Sequence, residues 1–101
     1  MTHVVTENCE GCRYTECAAV CPVECFHAAP GRLYIDPAVC IDCGACVPVC
    51  PVKAIFDQVD LPPADRRWLE VNREQSKRWP VQHGKSEPLA QAEQRRVALG
   101  Y

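Results

Sequence analysis

The chain of 101 residues has no apolar run that approaches the length of a membrane span. Its first stretch, Met1 to Cys9, carries neither a basic start nor an apolar segment, so no signal peptide, no membrane contact and a cytoplasmic location are expected. Basic residues are scarce in the first 60 positions, where Arg13, Arg32 and Lys53 stand against eight acidic side chains. That half suits docking to a basic partner face. Positions 61–101 reverse the balance with eight Lys or Arg against five Asp or Glu. They lack the aromatic-interleaved basic stretch of a nucleic-acid binder, so no nucleic acid is expected. No nucleophile, base and orienting group come together around His3, His27 or His83, which read as ordinary surface or packing residues. Catalysis is therefore not expected.

Cysteine is what the chain has in excess, with nine residues. An odd number without a secretory leader argues for a metal or cluster protein over a disulfide scaffold. The spacing sharpens this. Cys40, Cys43, Cys46 and Cys50, followed by Pro51, form C-x2-C-x2-C-x3-C-P, the pattern that holds a cubane iron–sulfur cluster. Three thiolates at three-residue steps line one tight loop, and Gly44 and Ala45 let its backbone approach. The fourth cysteine ligates the other cluster in chains that carry two. A second motif is present: Cys9, Cys12, Cys17 and Cys21, followed by Pro22, repeat the pattern with two extra residues before the third cysteine. Residues 17–23 (CAAVCPV) match 46–52 (CVPVCPV). The repeat of about 30 residues implies two halves related by a pseudo-twofold axis, with the clusters between them.

The flanking segments complete the halves. Residues 2–6 read as a strand; Leu33–Asp36 start the second half, and Phe26-His27 and Ile55-Phe56 occupy equivalent places after each motif. Short helices are expected at Ala18–Val20 and Ala45–Val49, each ended by a proline, with a turn at Ala28–Arg32. Beyond the repeat, Ala64–Trp79 reads as a helix with Ala64, Trp68, Val71, Gln75 and Trp79 on one face, entered through Pro62 and Pro63 and stopped by Pro80. The tryptophans are expected to pack it onto the core. A loop at Val81–Pro88 and a weaker helix at Leu89–Leu99 follow. Domain boundaries of 1–60 for the core and 61–101 for a helical extension result.

These motifs, the expanded first spacing and the C-terminal helices together resemble the bacterial seven-iron ferredoxins. The resemblance covers residues 1 to about 80 well and the last twenty loosely. It implies an α+β, pseudo-symmetric dicluster ferredoxin fold with a C-terminal helical extension. It implies a 3Fe-4S cluster on Cys9, Cys17 and Cys50, and a 4Fe-4S cluster on Cys21, Cys40, Cys43 and Cys46, with Cys12 and Cys25 left as free thiols. The function implied is one-electron transfer at low potential by a monomer, to a ferredoxin reductase, a monooxygenase or another reductive enzyme.

Other readings stay open on the residues alone. Cys12 ligates in an eight-iron form, paired CxxC units also hold zinc in structural modules, and iron–sulfur proteins also serve as redox sensors, though no output element is visible. Cys25, four residues after Cys21, reads either as a small core residue or as a spare thiol beside the four-iron site. Glu16, next to Cys17, reads either as a solvated glutamate or as a proton relay to the three-iron site.

Overall fold

The computed structural model describes residues 2–11, 13–82, 87 and 89–101. Cys12, His83 and most of the expected loop at Val81–Pro88 lie outside the described residues. Among the described residues, four three-residue strands make two antiparallel ladders. Strand β1 (His3–Val5) pairs with β4 (Ile55–Asp57), setting His3 opposite Asp57 and Val5 opposite Ile55. Strands β2 (Phe26–Ala28) and β3 (Leu33–Ile35) form a hairpin with Phe26 opposite Ile35. Its turn is closed by the Ala29 N–H donating to the Arg32 carbonyl at 2.9 Å. Val4, Val5, Phe26, Leu33, Ile35, Val52, Ala54 and Ile55 are all almost fully buried and form the apolar centre. The β-branched and aromatic strand residues are thus where burial stabilises most.

Helix α1 (Glu16–Val20) begins earlier than the expected Ala18. Its counterpart at 45–49 is a run of turns. The cause is one residue. In α1 the Ala19 N–H donates to the Thr15 carbonyl at 3.1 Å. The matching position in the second motif is Pro48, which has no N–H to give. Only the tighter bonds remain there, from Val47 N–H to the Gly44 carbonyl and from Cys50 N–H to the Val47 carbonyl.

The expected helix at 64–79 is shorter and turned differently. A 3-10 turn at Pro63–Asp65 leads into helix α2 (Arg67–Ser76), and Trp79 lies beyond its end. Ala64 is exposed, and the residues buried deepest are Asn72 and Ser76. Strands β1 and β3 lie side by side without a ladder between them. Asn72 fills that gap. Its Oδ1 accepts from the Val5 N–H at 3.1 Å and the Ile35 N–H at 2.9 Å. Its Nδ2 donates to the Val5 carbonyl at 2.9 Å and the Trp68 carbonyl at 2.8 Å. After α2 the chain runs along the edge of β2, where Ala28 N–H donates to the Pro80 carbonyl and Gln82 N–H to the Phe26 carbonyl. His27 ties the same segment down, its Nδ1 lying 2.7 Å from the Trp79 carbonyl oxygen. Helix α3 (Ala92–Ala98) follows, with Ala92 buried in the core. No helix among the described residues is long and apolar enough to cross a membrane.

Candidate metal centres

The described cysteines sort into two chambers. The first is walled by Cys9, Cys17 and Cys50 among apolar residues that include Val5, Leu33 and Ile55. The second is walled by Cys21, Cys40, Cys43 and Cys46, with Cys25 also on its wall. Each chamber therefore draws on both motifs. Cys50 leaves its own loop to join Cys9 and Cys17, and Cys21 leaves α1 to join Cys40, Cys43 and Cys46.

Backbone conformation achieves the crossing. After Cys21 and after Cys50 the chain reads Pro-Val and then a residue of positive φ, 52° at Glu24 and 51° at Lys53. That kink turns the next amide back on the cysteine. Cys25 N–H donates to Cys21 Sγ, and Ala54 N–H to Cys50 Sγ, each at 3.3 Å. Two further sulfurs receive amides: Cys9 Sγ from Leu33 N–H and Cys40 Sγ from Asp42 N–H, each at 3.4 Å. Gly44 holds φ of 77°, a value that favours glycine. Space is not its constraint, because a Cβ there would meet only the His3 ring, at ordinary contact distance.

Burial pushes the thiols of Cys9 and Cys17 above their ordinary range and that of Cys46 up to about 12. These thiols hold their protons at neutral pH unless a metal displaces them. All eight described cysteines are free of disulfides. Cysteine sulfurs converging on two chambers, with main-chain N–H groups aimed at four of them, are the donor set that iron–sulfur clusters take. The residues fit such groups.

Cys25 Sγ lies 3.3 Å from Cys21 Sγ, and Cys25 is buried. Its counterpart after Cys50 is Ala54, also buried. Burial, followed by the neighbouring Cys21, pushes the Cys25 thiol far up. Glu16 stands on the wall of the first chamber. Two features were not anticipated from the sequence. Arg32 is 4% exposed, donates to the Thr6 carbonyl at 2.8 Å and the Val5 carbonyl at 3.2 Å, and stacks over the Trp68 and Tyr34 rings. It puts a positive charge close enough to Cys9 to favour that thiolate. The only hint was a lone basic residue between Arg13 and Lys53. His3 is buried against Asp42, for which neither residue's neighbours gave a signal.

Fold and donor set together define an iron–sulfur electron carrier. The 4Fe-4S binding domain family matches residues 33–56. Among curated proteins, the chain is 44% identical to Ferredoxin-1 of Caulobacter vibrioides over 93 residues, covering 92% of this chain and 81% of that one. It is 46% identical to Ferredoxin 7Fe of Hydrogenibacillus schlegelii over 74 residues, covering 73% of this chain and 95% of the relative. It is 44% identical to a ferredoxin of Alicyclobacillus acidocaldarius over 70 residues, covering 69% and 90%. The chain belongs to the bacterial seven-iron ferredoxins, which are electron-transfer proteins and not enzymes.

Proposed function

We propose that the chain carries single electrons at low potential through two clusters, a 3Fe-4S cluster on Cys9, Cys17 and Cys50 and a 4Fe-4S cluster on Cys21, Cys40, Cys43 and Cys46. The observation that carries this reading is the division of the seven cysteines between two chambers in those two sets. The name of one relative, Ferredoxin 7Fe, supports the count of seven irons. A bound cluster accepts and gives up one electron at a time. The chain's own residues tune that exchange: the N–H groups of Leu33, Cys25, Asp42 and Ala54 donate to the sulfurs of Cys9, Cys21, Cys40 and Cys50 and offset their charge, and apolar walls exclude water. A pseudo-twofold arrangement of residues 1–60 is supported by the matching kinks at Glu24 and Lys53 and the matching N–H to sulfur bonds. The reading of residues 61–101 as an extension on that core is supported by the seating of α2 on β1 and β3.

Electrons leave most readily near Cys43, the exposed member of the second set. Exposed Val39, Ile41 and Val47 lie close to it in sequence. The acidic half of the chain then favours a partner with a basic docking face, such as a reductase or another reductive enzyme, met by a cytoplasmic monomer. Iron and sulfide counts, with EPR of the protein as isolated anaerobically, test the assignment. Seven irons and an oxidised three-iron signal are expected. Eight irons without that signal would make Cys12 a ligand and overturn the three-iron site.

A further inference from the structure

His3 and Asp57 are register partners across the β1–β4 ladder. Residues directly opposite in a ladder share a face, so their side chains stand together. Asp42 reaches the same place from the loop between Cys40 and Cys43, on backbone with φ of 61°. One donor atom from each of the three lies within 4.8 Å of the others. His3 is 6% exposed. Its Nδ1 lies 2.8 Å from Asp42 Oδ1. The two atoms nonetheless lack hydrogen-bond alignment, and both are buried without a hydrogen-bond partner. A buried imidazole nitrogen and a buried carboxylate oxygen cost free energy when left so. A cation held between them satisfies both.

We propose that His3, Asp42 and Asp57 form a mononuclear site for a divalent cation of zinc type, with no cysteine among its ligands. The donor chemistry selects the class. One imidazole nitrogen with two carboxylate oxygens suits zinc and its first-row neighbours, whereas magnesium and calcium take oxygen alone. Three protein ligands leave a position for water. Access is through a surface groove that His3 and Asp57 share with Val47, Phe56, Lys53 and Asp60. Lys53 is turned towards the Tyr101 ring, 5.5 Å from its centroid. Asp57 is held in orientation, because its Oδ1 accepts from the Val59 N–H at 3.1 Å. His3 also lines the second cysteine chamber, so a cation here sits beside that centre. The site itself does not depend on which iron cluster the cysteines hold.

Zinc ion titrated into the intact brown protein by calorimetry, with iron counted before and after, is the test. Saturable uptake of about one zinc per chain is expected, with no loss of iron. Asp57→Asn keeps the acceptor for Val59 N–H and removes the charged ligand, so zinc should bind at least about tenfold more weakly. Asp60→Asn, in the same groove but outside the triad, should bind zinc as the parent does. No saturable binding, equal affinity in Asp57→Asn, or zinc uptake matched by iron release would each overturn the proposal.

Discussion

Asn72 joins two strands that make no ladder with each other, and its contribution is measurable. Replacing it with Ala leaves the buried Val5 and Ile35 N–H groups without the acceptor they share. Each unsatisfied group costs about 1–3 kcal/mol. We expect Asn72→Ala to lower stability by about 3 kcal/mol, read as a lower urea midpoint for loss of visible absorbance. An unchanged midpoint would mean that water or a backbone shift replaces the side chain. Cys25 offers a second test at this scale. With its sulfur 3.3 Å from Cys21 Sγ on the wall of the second chamber, it is placed to take over if Cys21 is removed. Cys21→Ala should keep a four-iron cluster with a shifted potential, whereas the double change with Cys25→Ala should lose it. Loss of the cluster in the single variant would assign Cys25 to packing alone. Glu16 stands on the wall of the first chamber. Glu16→Gln should slow proton uptake that accompanies reduction of the three-iron centre, seen in fast voltammetry. Unaltered proton kinetics would leave Glu16 as a surface carboxylate. The cysteines were legible in the sequence because ligation imposes spacing on consecutive residues. Asn72 and Arg32 were not, because a polar residue buried by hydrogen bonds leaves the same mark in sequence as one facing solvent.

At the scale of elements, β-branched patterning placed β1 within a residue of where it lies, and the repeat marked Phe26-His27 and Ile55-Phe56 as equivalent positions, where β2 and β4 run. It misjudged the helices. A repeat reading treats Ala19 and Pro48 as equivalent, yet only one carries the N–H that closes an α-turn. Of the face read for residues 64–79, Trp68, Val71 and Gln75 are half-buried, but the deepest contacts of α2 are made by Asn72 and Ser76. The edge formed by Pro80 to Gln82 beside β2 had no signal, because it depends on main-chain groups alone. A truncation after Asp60 removes Asn72, the Trp68 ring over Arg32 and the segment that His27 holds. Exposed apolar surface and faster bleaching of the clusters in air are expected. Equal cluster lifetimes with and without residues 61–101 would make the segment dispensable to the core.

Across the whole molecule, the two motifs exchange their last cysteines, and this exchange makes the halves one structure. Cys21 and Cys50 each stand at the end of a motif, and each turns through a residue of positive φ to face the other motif's chamber. Neither chamber is complete from one motif. A chain built this way folds its halves together around its metal, as binding free energy is shared with folding. The crossing is also what separates the account from a simpler arrangement in which each motif holds its own cluster. EPR of the Cys50→Ala variant distinguishes the two most directly. With crossed ligands, the oxidised three-iron signal should vanish while the dithionite-reduced four-iron signal stays. Loss of the four-iron signal with the three-iron signal intact would contradict the crossing and the ligand assignment with it.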